Sequence, residues 1–525
     1  MRAATQTWIA FSGALMLALA AAHASPTAAV QPEGDTQDTQ PGDTSDPASP
    51  TEVEETARLL NEMYGLNVNV GTPEGVAVAM VRCTTRGVGD ARVDGSFALV
   101  VRDEVVLVPL ARLLRGESVM VKAACCEQRP ATGVYAFDAR AGLALLAVPG
   151  LQAPAWTGGY AELASPAPDA VTARVGFPLE IAGSLGIGTS TLPVLRDRED
   201  ALRGRRLRLD LPFSTFGSGA IVIDGNGRPV AISTEWAGNN KSWAVPIAGF
   251  LDAHLESKLD DSKLVSFDKL IDNAPDDRAK SIMLTLRAKS EPDQLALLDL
   301  AIDLEPGNAL AHYHRGVVLD MMGDKPGSIS ALERTVEIDD QWSESWYSLG
   351  LVRLTSGDPR PAGEDFARAT ELDDTHADAH GMRGVAAMHA GDAARAIEPM
   401  RRAIEIEPDR MQFAMNLELA YEQSDRGDEA YKAWEAYVAA EPDDKRGHVR
   451  YCRRLAVGLQ LGKLLEVATA GLERFGENAD DLAYRAFALG FSEPRDAVQA
   501  RELAGRALEL EPGHQVATLV IDRVR

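Results

Sequence analysis

Ser218 stands between two glycines in the run Ser214-Thr215-Phe216-Gly217-Ser218-Gly219-Ala220, a setting in which a hydroxyl is presented at a tight turn and could act as a nucleophile. A serine attacks a carbonyl only when a neighbouring base takes its proton, and imidazole suits that task at neutral pH. The chain carries nine histidines, yet none lies between His23 and His254. The lysines of that stretch, Lys122 and Lys241, sit in no recognisable base motif. His254 is the nearest imidazole along the chain that follows the serine.

Metal chemistry is not expected either. His312, His314, His376, His380 and His389 cluster late in the chain, and His376 with His380 has an i, i+4 spacing. His376 falls in the turn before its helix, however, and His312 and His380 occupy positions that elsewhere hold a packing aromatic. Cys83, Cys125, Cys126 and Cys452 show no zinc spacing. Cys83 could bridge to either member of the adjacent pair, and the sequence leaves the pairing open. No cofactor is expected.

The elements that must hold these residues follow from composition and pattern. The 525 residues allow two or three domains, and a formal charge of −25 argues against nucleic acid as a partner. Arg2 precedes the apolar run 8–22, which is too short to span a bilayer and ends in the small-x-small triplet Ala22-His23-Ala24. Residues 1–24 therefore read as a signal peptide, with an uncleaved anchor as the alternative, and an exported protein (periplasmic or secreted) without a later membrane span is expected. Residues 25–50 are rich in Pro, Gly, Asp and Thr and read as a linker. Residues 51–67 form a short helix and lead-in. From 68 to 255, short apolar runs alternate with Gly-, Asp- and Pro-bearing turns, the texture of an all-β fold. Residues 256–272 connect this to a helical region, 273–525.

That helical region repeats. Gly316, Gly350 and Gly384 are 34 residues apart, as are Pro408 and Pro442. Each unit has two stretches of helical period. An aromatic or histidine comes early in the first (His312, Trp346, His380). The second carries a small residue (Ser328, Ala362, Ala396, Ala430) and then a bulky one (Leu332, Phe366, Met400, Trp434). These letters resemble the tetratricopeptide repeat (TPR), which implies a superhelical solenoid of six to seven units; the unit around 445–478 matches poorly. Tyr313, Tyr347, Leu351, Met382, Val385, Met415 and Asn416 are expected on its concave face, a surface suited to an extended peptide or a partner helix.

The β region resembles the trypsin-like peptidases of the HtrA/DegP kind, which implies a double β-barrel. The run around Asp224-Gly225-Asn226-Gly227-Arg228 aligns Ser218 with the family's nucleophile. The run 109–117 places Arg112 at the histidine's position, and the run 142–148 places Gly142 at the aspartate's. A guanidinium stays protonated and cannot serve as base, and Phe216 replaces a glycine that shapes the oxyanion hole. The fold class expected is thus multidomain: an all-β trypsin-like double barrel followed by an all-α TPR solenoid. The function expected is a non-catalytic interaction protein, with a protein or peptide partner in the groove of the repeats. Two alternatives stay open: a divergent serine endopeptidase using Ser218, with a base such as His254, and a barrel that is only a spacer.

Overall fold

The computed structural model describes residues 69–70, 78–85, 92–114, 118–123, 128–151, 159–164, 170–181, 184–200, 203–209, 219–236, 241–255, 259–288 and 293–524. The signal segment, the linker, the short helix expected before residue 67, and Ser218, Phe216, Cys125 and Cys126 lie outside them. The chain divides into two compact units, residues 1–311 and 312–525.

The first unit contains two antiparallel sheets. Its strands are β1 (Asn69–Val70), β2 (Val78–Thr85), β3 (Arg92–Arg102), β4 (Val105–Pro109), β5 (Ser118–Ala123), β6 (Arg129–Pro130), β7 (Gly133–Asp138) and β8 (Leu143–Ala147). They continue with β9 (Ala170–Ile181), β10 (Ser184–Asp200), β11 (Gly204–Leu209), β12 (Ile221–Ile223), β13 (Pro229–Trp236) and β14 (Ser242–Pro246). One sheet runs β6-β5-β2-β3-β4-β8-β7 and the other β1-β10-β11-β14-β13-β12-β9. In the second, β9 also pairs with β10, so six strands close into a ring. The first runs open from β6 to β7 among the described residues. The pair of closed barrels expected from the sequence is present here as one closed ring and one open sheet.

Apolar burial explains the arrangement. All five residues of β4 and all five of β8 are buried, which requires cover on both faces. On one side Leu99, Leu107, Leu143 and Leu145 meet Ile221, Ile232 and Val245 of the second sheet, with Ile247 just past β14, in a shared core. Inside the ring, Leu207, Leu209, Val222, Ala231 and Ala244 form a separate cluster. Two short helices matter for the site: α1 (Leu110–Leu113) after β4, and α2 (Ala248–Leu255) after β14. Helices α3 (Asp277–Ala288) and α4 (Gln294–Leu304) pack together at the end of this unit. Asn308 ties them to the following turn, donating through Nδ2 to Ser281 Oγ and Thr285 Oγ1.

The rest of the chain is helical: α5 (Ala309–Met321), α6 (Lys325–Ile338), α7 (Ser343–Thr355), α8 (Pro359–Leu372), α9 (Ala377–His389), α10 (Ala393–Ile406), α11 (Met411–Gln423) and α12 (Lys432–Ala440). It continues with α13 (Lys445–Val457), α14 (Leu461–Phe475), α15 (Ala479–Phe491), α16 (Ala497–Leu510) and α17 (Gln515–Arg523). The three clearest units turn between their helices at Gly323, Gly357 and Gly391, with φ of +84°, +92° and +84°, a conformation that glycine adopts without a Cβ penalty. Asp324 and Asp392 then cap the second helices, accepting from Gly327 N and Arg395 N.

The seam between the two helices of a unit is built from the residues that define the repeat. A Cβ placed on Gly316 would lie 2.7 Å from Leu332 Cγ, one on Gly350 2.8 Å from Phe366 Cε1, and one on Gly384 2.5 Å from Met400 Cγ. Each glycine therefore admits the bulky side chain of its own second helix. Helical pairs stacked in this way bury a continuous core that no single pair could.

Candidate functional site

The protease-like constellation begins with Arg112. It lies on α1, whose Leu110 and Leu113 are fully buried and anchor the turn after β4. Leu110 N donates to Gly142 O at 2.7 Å, so the segments aligned with the family's histidine and aspartate are neighbours. Gly142 closes the turn between β7 and β8. Asp138 Oδ1 accepts from Arg140 N and Ala141 N in that turn, and Gly142 N donates to Asp138 O. Gly142 has φ +70°, which disfavours other residues.

A different set of charges fills the place where a carboxylate would stand. A Cβ on Gly142 would lie 3.4 Å from Arg203 Nη2 and 3.8 Å from Glu235 Oε1. Arg203 grips both oxygens of Glu235, with Nη1 donating to Oε2 at 2.5 Å and Nη2 donating to Oε1. Arg206 Nη2 approaches Oε2 at 3.3 Å, and its guanidinium lies 5.2 Å from the Trp243 ring centre. The side chains of Arg203, Glu235 and Arg206 are only 3%, 7% and 7% exposed, so this is a buried ionic cluster. Both carboxylate oxygens are occupied by guanidinium, and guanidinium does not accept protons. The cluster is suited to holding structure in place, with both oxygens of its one carboxylate engaged by guanidinium groups.

Ser218 lies outside the described residues, but its successor is tightly held. Gly219 N donates to Ser233 O at 2.7 Å and approaches Ser233 Oγ at 3.1 Å, and Ala220 N donates to the same Oγ at 2.9 Å. Gly219 has φ +99°, and a Cβ there would fall 1.9 Å from Phe97 O. Only glycine fits this approach of the two sheets. His254, the alternative base, stands on α2 with its ring 4.8 Å from that of Phe250.

In the repeats, Tyr313 and Tyr347 are each 5% exposed. The Tyr313 ring packs 4.6 Å from Trp342 and its hydroxyl lies 3.2 Å from Ser348 Oγ. Tyr347 packs against Phe366 and His376. Burial pushes both phenols well above the ordinary range, with nearby carboxylates adding to the effect. Leu351, Met382, Val385, Met415 and Asn416 are half-buried, and Asn416 Oδ1 accepts from Gln412 Nε2. His376 caps α9, its Nδ1 accepting from Ala379 N, while Nε2 lies 3.4 Å from Glu344. His380 Nε2 lies 3.2 Å from Asp374 O, so the two imidazoles have separate partners.

Two later positions depart from the glycine of the repeat, and the sequence assigns neither a role in the site. Glu418 and Cys452 stand one and two 34-residue steps on from Gly384, in the frame Gly316, Gly350, Gly384. Glu418 Oε2 accepts from Trp434 Nε1 at 2.6 Å, and Arg454 pairs with its other oxygen. Cys452 and Ala468 are both fully buried and belong to the same apolar cluster. At the step of the frame that holds a bulky residue in the earlier units (Leu332, Phe366, Met400, Trp434) this unit has Ala468, and at the glycine step it has Cys452, so the unit around 445–478 matches the repeat poorly by letter. Cys452 Sγ lies 3.6 Å from His448 Nε2, which in turn lies 2.8 Å from Asp481 Oδ1.

No protein-family profile and no curated protein sequence matches the chain. Among solved structures it is similar to MamA, at 24% identity over 29% of this chain and 84% of that one, with a TM-score of 0.28. It is similar to the Rv3671c protease from M. tuberculosis in its active form, at 17% identity over 45% and 98%, with a TM-score of 0.30. It is also similar to YrrB, described as a TPR protein with an unusual peptide-binding site, at 16% identity over 43% and 97%, with a TM-score of 0.26.

Proposed function

We propose that this chain is an exported, non-catalytic interaction protein. In this reading a trypsin-like double barrel has lost its proton-transfer machinery, and a TPR solenoid holds a protein or peptide partner. One observation carries it. The segments bearing Arg112 and Gly142 are hydrogen-bonded neighbours, as a protease's base and acid would be, yet neither residue can fill its role. The buried Arg203–Glu235–Arg206 cluster packs against the empty Cβ position of Gly142. In this reading the β unit binds peptide without hydrolysing it. Export is part of the reading and is supported by the apolar run 8–22 with its small-x-small triplet.

The test is labelling of the purified mature protein with a fluorophosphonate serine probe, beside a Ser218→Ala control and an active trypsin-like enzyme. No labelling of a folded wild type is expected. Labelling that disappears in Ser218→Ala would overturn the reading and establish an activated hydroxyl, with a base supplied from His254 or from another chain.

A further inference from the structure

His448 and Cys452 are one helical turn apart on α13, and Asp481 reaches them from the first turn of α15. All three are buried, at 5%, 0% and 0% exposure, and one donor atom of each lies within 4.8 Å of the other two. We propose that His448 Nε2, Cys452 Sγ and Asp481 Oδ1 form a binding site for one zinc-like divalent transition cation.

Geometry and charge support the assignment. Bond lengths of about 2.0–2.3 Å to nitrogen, oxygen and sulfur imply tetrahedral ligand–ligand separations of about 3.3–3.6 Å. The Sγ to Nε2 distance of 3.6 Å already matches, the Nε2 to Oδ1 distance of 2.8 Å must open, and the donor set, which spans up to 4.8 Å, must draw together on the cation. One imidazole, one thiolate and one carboxylate make a mixed set suited to zinc or cobalt, and three protein ligands leave the fourth position for water. A dication with a thiolate, a carboxylate and a neutral imidazole is electrically neutral, which suits a buried place. Without a cation, burial and then the neighbouring Asp481 and Asp480 carboxylates push the Cys452 thiol well above its ordinary range. A bound cation reverses that balance and releases the thiol proton to solvent.

The surroundings are arranged for such a site. Gly471 on α14 faces the ligands, and a Cβ there would fall 2.3 Å from His448 Nε2 and 2.6 Å from Asp481 Oδ1. The missing side chain leaves a cradle beside the ligand atoms. Asn478 Nδ2 donates to the other carboxylate oxygen, Asp481 Oδ2, at 2.8 Å, fixing the orientation of Oδ1 as a second-layer partner would. His–carboxylate pairs join other neighbouring units too: Glu344 with His376 at 3.4 Å, and Asp480 with His514 at 3.3 Å. Those pairs gather no sulfur donor. Only at the glycine slot occupied by Cys452 does the pair acquire a third ligand, and no other such group of three occurs among the described residues.

The experiment is titration of the full chain with cobalt(II) after chelator treatment, followed by displacement with zinc. Saturation at one equivalent is expected, with a thiolate-to-cobalt charge-transfer band that zinc abolishes. Cys452→Ser and Cys452→Ala should each lose the band while keeping the helical circular dichroism of the wild type; either variant suffices if the other misfolds. Asn478→Ala should weaken cobalt binding by at least about tenfold. Absence of the band in folded wild type at saturating cobalt would overturn the proposal. So would a band that survives in a folded Cys452 variant, because it would place the cation on another cysteine.

Discussion

Replacing Glu418 by glycine, the residue that three other units carry at this position of the frame, is expected to destabilise the helical region rather than perfect it. At Gly316, Gly350 and Gly384 the absent side chain makes room for a leucine, a phenylalanine and a methionine. At 418 the facing residue is Trp434, fully buried, whose only donor is its indole N–H. That donor is satisfied by Glu418 Oε2 at 2.6 Å. Glu418→Gly removes a hydrogen bond to a charged group, worth about 1.5–3 kcal/mol. Glycine in a helix interior adds about 0.5–1 kcal/mol over an ordinary residue. Arg454 keeps Glu422 at 2.6 Å, so its share is small. The expected loss is about 2–4 kcal/mol. Equilibrium urea unfolding of the full chain, followed by helical circular dichroism, measures it. Glu418→Gln keeps an acceptor for the indole and should lose only about 1 kcal/mol. A Glu418→Gly protein as stable as the wild type, or more so, would refute the idea that the slot and its facing residue are matched by chemistry as well as by volume.

Two further outcomes follow from the same contacts. Gly350→Ala places a methyl group against the Phe366 ring and should lose about 1–3 kcal/mol through overpacking; Phe366→Leu in the same chain should recover part of that loss, so that the double mutant is more stable than additivity of the singles predicts. Arg426 and Lys432, which both donate to Glu429, hold its carboxyl down at about 2. A depressed carboxyl gives stability that is present above its unfolded value near 4.5 and lost as pH falls toward about 2. Glu429→Gln should flatten the dependence of acid unfolding across that window, and an unchanged profile would remove this group from the account.

Much of the solenoid was legible because its physics is local. A glycine and a bulky residue at fixed separation in one unit meet across one seam, so their letters carry the contact: Gly316 with Leu332, Gly350 with Phe366, Gly384 with Met400. The groove was harder to read. Tyr313 and Tyr347 pack into seams instead, because one residue along a helix turns the side chain by about 100°, which separates a seam from an open face. In the sheets, the segments bearing Arg112 and Gly142 are hydrogen-bonded neighbours through Leu110 N and Gly142 O. The cluster of Arg203, Arg206 and Glu235 was not found. Along β11 arginine alternates with leucine, a pattern that reads as solvent outside and core inside. That inference fails where the outer face of a strand is itself covered, and cover depends on the other sheet, which periodicity within one strand cannot reveal.

The same reasoning says where chemistry should be sought in a repeat protein. A repeat's pattern records packing requirements, so residues that obey it need no further explanation. His312, Trp346, His380 and His448 share one step of the frame, and at three of those four steps the glycine slot one turn later is empty of a side chain. At the fourth it holds Cys452, with Ala468 at the step that elsewhere carries a bulky residue and Gly471 beside His448 and Asp481. Packing alone would be satisfied by glycine and a large residue, as it is elsewhere. The sulfur donor at this step stands within reach of an imidazole and a carboxylate, a juxtaposition found at no other step among the described residues. Departure from the pattern, where volume is compensated and polarity is not, is therefore the sequence signal that separates a site from a seam.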